Sequence, residues 1–164
     1  MKPLLTAAAL LLSAAAWADG TPTPAAASPS PSPTAAPAPV DPTAWLGLTP
    51  ETAYRDRGAP AEIYPLAVDD KRWQVIHYYG DHTYLFWASN RVWQVRLDKQ
   101  WLGTWKGLTM GMTRDDAETA LGTPLAKGDD WSVWNLPYQT FPKRVRLVFT
   151  DGKLSDAYVY RSEL

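Results

Sequence analysis

The sequence predicts an α+β fold of two tandem units, each a helix followed by three strands of antiparallel sheet, with the helices on one face. Three observations lead to this fold class. A short helix pattern spans Met112–Pro124, and a weaker form of it spans Leu48–Pro60. Strand-like runs follow each pattern. The last two runs of each half are joined by a two-residue turn, Ser89-Asn90 or Asp151-Gly152. Because the same order occurs twice, we expect a duplicated unit.

The second helix pattern is the clearer of the two. Thr113 is placed to cap the first free N–H groups, and Asp116, three residues later, is placed to complete a capping box. The apolar face ends at Leu121, and Gly122 suits the left-handed position that follows a helix. The first pattern has Arg57 where the second has Leu121. We therefore expect the second unit to be the better packed.

The predicted strands are rich in the β-branched and aromatic residues that sheets favour. They are Arg72–Tyr79, Thr83–Ala88 and Arg91–Leu97 in the first unit, and Trp131–Trp134, Val145–Thr150 and Lys153–Tyr160 in the second. Both turns suit the positive φ angles of a type I′ hairpin, and such a turn fixes the register of its strands.

This register assigns residues to the two faces of the sheet. Trp87 should pair with Val92, and Leu85 with Gln94, on one face. Residues that are apolar in both units predict that this is the core face: Leu85, Trp87, Val92, Leu147, Phe149 and Leu154. The other face then receives Tyr84, Phe86, Ala88, Trp93 and Val95 in the first unit, and Arg146, Val148, Ser155, Ala157 and Val159 in the second.

Aromatic residues of the first unit are the candidate binding site. We expect Tyr84, Phe86 and Trp93 to form an exposed platform that binds another protein, with Tyr79 as a fourth candidate, because exposed aromatic patches commonly mark protein contacts. The alternative is that the other unit or the loops bury these rings, since Trp mostly fills cores and their margins.

The N-terminal region has the features of an export signal. Residues 1–18 combine a positive start at Lys2, an apolar run over Leu4–Ala16 and the cleavage pattern Ala16-Trp17-Ala18. The run is short for a membrane span, which needs about 20 apolar residues. We expect a periplasmic or secreted protein that begins near Asp19 and has no stable membrane insertion after cleavage.

Residues 19–42 are rich in Pro, Ala, Ser and Thr, a composition that cannot bury a core. They predict a disordered linker, which is either a spacer or an inert tail. The two units are then expected at residues 43–103 and 104–164.

Composition excludes several function classes. The 164 residues carry a formal net charge of −1, which gives no reason to expect a nucleic acid as partner. The tight basic cluster of Lys143, Arg144 and Arg146 is interpreted as a solvated strand face. The chain has no cysteine, so disulfides, zinc–thiolate sites and thiol catalysis are excluded.

Residues that could support catalysis are few. His77 and His82, with Asp81, could hold a metal ion only if they converged, and we interpret them as separate. The acidic pairs Asp69-Asp70 and Asp129-Asp130 could act as acid and base, but consecutive side chains point apart on an extended chain. We expect no enzymatic activity and no cofactor, with a hydrolase as the remaining alternative.

Spaced motifs of the second half resemble the SmpA/OmlA, or BamE-like, family. They are Gly111-Met112-Thr113-Arg114 through Leu121-Gly122-Thr123-Pro124, then Trp131 and Trp134, then Val148 to Leu154. The resemblance covers about residues 107 to 161, and residues 46 to 97 carry a weaker copy. The beta-lactamase inhibitory protein is similar in its tandem layout.

This resemblance implies a function in protein binding. BamE-like lipoproteins are accessory parts of the machine that inserts β-barrel proteins into the outer membrane, and the inhibitory protein grips an enzyme with an aromatic-rich sheet. The expected function is an exported protein-binding module of the cell envelope. An inhibitor of a secreted or periplasmic enzyme is the alternative.

Overall fold

The computed structural model describes residues 41–69 and 72–163. The predicted signal peptide, and the predicted linker apart from Asp41 and Pro42, lie outside the described residues. A short 3-10 helix at Pro42–Trp45 precedes α1 at Pro50–Arg57 and α2 at Arg114–Leu121 in chain order. The strands are β1 Glu62–Asp69, β2 Arg72–Tyr79, β3 Thr83–Ala88, β4 Arg91–Leu97, β5 Ala126–Lys127, β6 Trp131–Leu136, β7 Lys143–Thr150 and β8 Lys153–Arg161.

The predicted fold class is wrong. In the described part of the chain the strands form one eight-stranded antiparallel sheet in the order β1-β2-β3-β4-β8-β7-β6-β5, and they do not form two helix-then-three-strand units. The sequence patterns missed β1 and β5 for physical reasons. Pro65 lacks an N–H and weakens the strand pattern of β1, as edge strands allow, and β5 has only two residues. The sheet is continuous because β4 pairs with β8 at its centre.

Capping residues define α2 as predicted. The Thr113 hydroxyl accepts a hydrogen bond from the Asp116 N–H (3.2 Å), and the Asp116 carboxylate accepts one from the Thr113 N–H (3.1 Å). Gly122 follows the helix with a φ of 81°. This reciprocal pair satisfies two N–H groups that a helix start leaves free, so the predicted capping box is confirmed.

Two β-bulges change the predicted face assignment. The turns have the expected positive φ angles, and Trp87 pairs with Val92. However, Leu85 pairs with Val95 and not with Gln94, because Trp93 is an extra residue on β4. A bulge of this kind returns the following residues to the opposite face. Val95 is therefore fully buried.

The same shift occurs in the β7–β8 hairpin. Phe149 pairs with Leu154, and Val148 pairs with Asp156, so Ser155 is the extra residue on β8. Ala157 and Val159 are consequently buried, although the unshifted register placed them on the other face. The Ser155 hydroxyl donates a hydrogen bond to the Val148 carbonyl (3.2 Å) and accepts one from the Thr150 hydroxyl (3.0 Å), and these bonds hold the bulge in place.

One face of the sheet carries the hydrophobic core. The six predicted core residues are all at most 6% exposed: Leu85, Trp87, Val92, Leu147, Phe149 and Leu154. The segment between β4 and α2 adds the buried rings of Trp101 and Trp105. The Trp105 indole N–H donates to the Asp41 carboxylate over 2.9 Å, which ties the start of the described chain to this core.

Candidate protein-binding face

Both helices pack on the core face of the sheet. Tyr54 of α1 contacts His77 of β2 edge-on, with ring centres 5.8 Å apart. At the other end, the Trp134 indole of β6 donates to the Gly122 carbonyl after α2 over 2.8 Å. His77 and Trp134 are both buried. The opposite side of the sheet, which neither helix covers, is called the open face below.

Three of the four candidate residues lie on the open face. Tyr84 and Phe86 of β3 alternate with the buried Leu85, and Trp93 is the bulged residue of β4. All three side chains are half-buried. Phe86 and Trp93 are in edge-to-face contact, with ring centres 6.3 Å apart. The structure therefore brings these three residues together on one side of the sheet.

Tyr79 is separated from the other candidates. It lies on the core face and is only 5% exposed. The guanidinium of Arg57 stacks between the rings of Tyr79 (4.2 Å) and Trp45 (3.9 Å), and it pairs with Asp81 over 2.7 Å. Burial raises the pKa of the Tyr79 hydroxyl, against the opposing effect of Arg57. Tyr79 therefore anchors the end of α1 through Arg57.

A row of directly paired residues crosses the whole open face. It contains, strand by strand, Glu62, Tyr78, Tyr84, Arg96, Tyr158, Arg146, Val133 and Ala126. We call it the tyrosine–arginine row. Tyr78 and Tyr84 lie 4.8 Å apart between ring centres, and the Arg96 guanidinium lies 5.0 Å from the Tyr84 ring and 5.8 Å from the Tyr158 ring. Such stacking fixes the side chains of the row in place.

A buried carboxylate holds Tyr84, the third residue of this row. Asp98 accepts hydrogen bonds from the Tyr84 hydroxyl (3.0 Å) and the Gln100 N–H (2.8 Å), and it lies 3.3 Å from Nδ1 of His82. Burial opposes the charge of Asp98, but these three groups outweigh it, so the pKa of Asp98 is lowered. Burial and the hydrogen bond to Asp98 together raise the pKa of Tyr84 to about 12.

The charge of Arg96 is neutralised on the open face. Its guanidinium forms an ion pair with Asp156 of β8 over 2.6 Å. Arg144 and Arg146 of β7 differ, since no described carboxylate lies within ion-pair distance of either. The sequence interpretation treated these two arginines only as a solvated face and missed Tyr158 and Tyr160. The alternation of aromatic residues in β8 with its buried residues could have indicated them.

The residues considered for catalysis or metal binding are dispersed. His77 is on the core face against Trp87, with ring centres 5.0 Å apart, and burial lowers its pKa. His82 lies in the β2–β3 turn beside Asp98. Asp129 and Asp130 are exposed, while Asp70 lies outside the described residues. No group of three metal-ligating side chains occurs in the part of the chain that the structure describes.

Comparison with known proteins corrects the family resemblance. No protein-family model matches the chain, and no curated protein matches it significantly. An extracellular protein containing an SCP domain from Bacillus anthracis str. Ames is similar in structure, with a TM-score of 0.53 and 13% identity, over 82% of this chain and 50% of that chain. A cysteine-rich secretory protein from Staphylococcus aureus subsp. aureus Mu50 has a TM-score of 0.48 and 10% identity, over 73% of this chain and 44% of that chain.

These comparisons overturn the resemblance to the SmpA/OmlA family and to the beta-lactamase inhibitory protein. The short motifs that suggested it, a capped helix and an Asp-Gly hairpin, are local devices that many folds share. The chain spans about half the length of each solved structure that it matches, and at this identity the likeness concerns the fold. Among the described residues no helix is long and apolar enough to cross a bilayer.

Proposed function

We propose that this chain is an exported protein-binding module and that it binds its partner with the open face of the sheet. The observation that carries the proposal is that Phe86 and Trp93 lie beside the tyrosine–arginine row, which contains Tyr84, on the side that both helices leave uncovered. Aromatic and arginine side chains are the residue types most enriched in the energetic centres of protein interfaces. Half-buried, mutually stacked rings also lose little conformational entropy on binding.

Binding is favoured over catalysis by the surroundings of the two histidines. His82 and Asp98 form the one His–carboxylate contact of the described residues, but no described hydroxyl is hydrogen-bonded to His82. A hydrolase that forms a covalent intermediate would need a nucleophilic side chain there. His77 faces the core on the other side of the sheet, so the two histidines do not work on one substrate.

The test is capture of partners from envelope and culture-fluid extracts with wild-type protein and three variants. Trp93→Ala and Tyr160→Ala remove rings from the open face. Leu102→Ala is the matched control, because Leu102 is 88% exposed and follows the buried Trp101 in the segment between β4 and α2. Near-ultraviolet circular dichroism shows whether each variant keeps its packing.

We expect the wild type and Leu102→Ala to recover the same partner, and both open-face variants to recover about tenfold less of it. Equal recovery by all four folded proteins would overturn the proposal. If the partner is an enzyme, its activity is measured with each protein. Loss of activity with wild type but not with Trp93→Ala would make the module an enzyme inhibitor.

A further inference from the structure

Two arginines on the open face lack the neutralising partner that Arg96 has. Arg144 and Arg146 are alternate residues of β7 and lie on the open face. The Nε of Arg144 donates to the side-chain oxygen of Asn135 (3.2 Å), and the Arg146 guanidinium lies 5.3 Å from the centre of the Trp131 ring. These contacts orient both guanidinium groups without cancelling their charge, and no described carboxylate forms an ion pair with them.

The positive charge is local. The whole chain has a formal net charge of −1. On the open face, however, Arg96, Arg144 and Arg146 share one carboxylate partner among the described ion pairs, which is Asp156. A patch of one sign on a nearly neutral chain attracts groups of the opposite sign and rejects like-charged partners. The missing partner is therefore a carboxylate-bearing or other anionic molecule.

The spacing of the two arginines fits an extended polypeptide. Residues two apart on one face of a strand are separated by about 6.6 Å, since a strand rises about 3.3 Å per residue. An extended peptide that lies along β7 has the same repeat, so its alternate side chains come opposite Arg144 and Arg146. Two carboxylates at such positions would each meet one guanidinium, which is the geometry that arginine binds well.

The aromatic neighbours suit a peptide better than a sugar polymer. Tyr158 and Tyr160 of β8 pair directly with Arg146 and Arg144. Two rings of this part of the face already have a guanidinium near them: Arg96 lies 5.8 Å from the centre of the Tyr158 ring, and Arg146 lies 5.3 Å from the centre of the Trp131 ring. A sugar ring stacks on a free flat side, whereas an extended peptide needs ring edges, hydroxyl groups and apolar spaces between the charges.

We propose that the part of the open face formed by β7 and β8 binds an extended acidic segment of the partner protein, with carboxylates at alternate positions. This inference rests on the proposed function and specifies the chemistry of its partner. Arg144 and Arg146 each receive one carboxylate, and Tyr158, Tyr160 and Trp131 contact the segment between them.

The experiment measures binding of labelled synthetic peptides to the folded protein. The probe is a peptide of repeated Glu-Thr dipeptides. One control peptide has Gln in place of Glu, and a second has the same composition with all Glu residues in one block. Two protein variants are compared. One is the double variant that combines Arg144→Gln with Arg146→Gln, and the other is the control variant Arg55→Gln. Arg55 lies on α1 with 72% of its side chain exposed, so its substitution removes a charge away from the open face.

We expect the alternating peptide to bind at least about tenfold more tightly than the Gln peptide. We also expect its carboxylates to bind Arg144 and Arg146 and not the other cationic side chains of the protein. The double variant should lose about tenfold in affinity, while Arg55→Gln stays within about twofold. Binding should also weaken as salt is added. Equal binding to the double variant and to Arg55→Gln would overturn the inference.

Two further outcomes separate this inference from its alternatives. If the block peptide binds as tightly as the alternating one, the spacing argument fails. If polygalacturonate or inorganic polyphosphate binds more tightly than the alternating peptide and depends on the same two arginines, the ligand is an anionic polymer and the polypeptide assignment is overturned. Partner capture that depends on Trp93, without peptide binding, would leave the proposed function standing and remove only this inference.

Discussion

The Tyr84 hydroxyl donates a hydrogen bond to the Asp98 carboxylate over 3.0 Å. This bond joins the open face to the residue that directly follows β4. Asp98 is only 6% exposed, which excludes most of the water that would compete for this bond. The tyrosine ring is held between Tyr78 and Arg96. Because the position of Tyr84 depends on both contacts, the geometry of the candidate site is coupled to a buried charge.

Removing this hydroxyl should lower stability. We expect Tyr84→Phe to reduce the free energy of unfolding by about 1–2 kcal/mol, since a part-buried carboxylate loses a donor. Tyr160→Phe is the matched control, because Tyr160 is half-buried on the same face and its hydroxyl makes no hydrogen bond with the described residues. Urea denaturation at neutral pH measures both. Similar losses for the two variants would contradict the assigned role of Asp98.

The lowered pKa of Asp98 predicts a loss of stability in acid. A carboxyl whose pKa is lower in the folded than in the unfolded protein stabilises the fold above the unfolded pKa, here 3.8, and this contribution disappears as the pH falls through the lower folded value. Unfolding free energy should therefore drop below about pH 4. Asp98→Asn should show a shallower drop over the same range. Asp116, whose pKa is lowered by Thr113, contributes equally to both proteins, so the difference between them isolates Asp98.

Local features of the fold could be predicted from the sequence. The capping box of Thr113 and Asp116, the type I′ turns and the six core residues all depend on neighbours within a few positions, where residue preferences are strong. The bulges at Trp93 and Ser155 have no such residue preference. Their trace in the sequence is a change of phase within one strand: Val92 and Val95 of β4 are both buried although they are three positions apart, a spacing that strict alternation would place on opposite faces.

The arrangement of the whole sheet could not be predicted in this way. The central pairing joins Val95 of β4 to Val159 of β8, and two strands so far apart in sequence leave no local pattern of their contact. The same limit applies to the open face. The ion pair between Arg96 and Asp156 and the burial of Tyr79 under Arg57 depend on that long-range pairing and on the packing of α1. Neither contact leaves a local pattern in the sequence.

Arg57 occupies the position in α1 that the apolar Leu121 occupies in α2, and it is packed in the structure. Its side chain is 10% exposed and stacks on Trp45 and Tyr79. We expect Arg57→Ala to lower the free energy of unfolding by about 2–3 kcal/mol, through lost stacking and lost burial of the side-chain stem. Arg55→Ala, on the exposed side of the same helix, should change it by less than about 0.5 kcal/mol. Thermal denaturation followed by circular dichroism compares the stabilities of Arg57→Ala and Arg55→Ala. Equal losses of stability would show that the stacking of Arg57 contributes nothing.

Gly103 is required by the packing of Trp101. A Cβ atom at position 103 would clash with the Trp101 ring, and Trp101 is only 5% exposed. The adjoining apolar space, bordered by Leu97 and Leu108, has a volume of about 10 Å³, which is too small to receive a displaced indole. We therefore expect Gly103→Ala to cost about 1–3 kcal/mol in the free energy of unfolding and to alter the tryptophan fluorescence.

The matched control for this substitution is Gly80→Ala. No atom lies within 4 Å of a Cβ built at Gly80, and its φ is outside the left-handed region. Alanine there should leave stability unchanged or raise it by about 0.4–1 kcal/mol, because it restricts the unfolded chain. A Gly103→Ala protein as stable as Gly80→Ala would mean that Trp101 can move, and the core between β4 and α2 would then be less closely packed than the structure indicates.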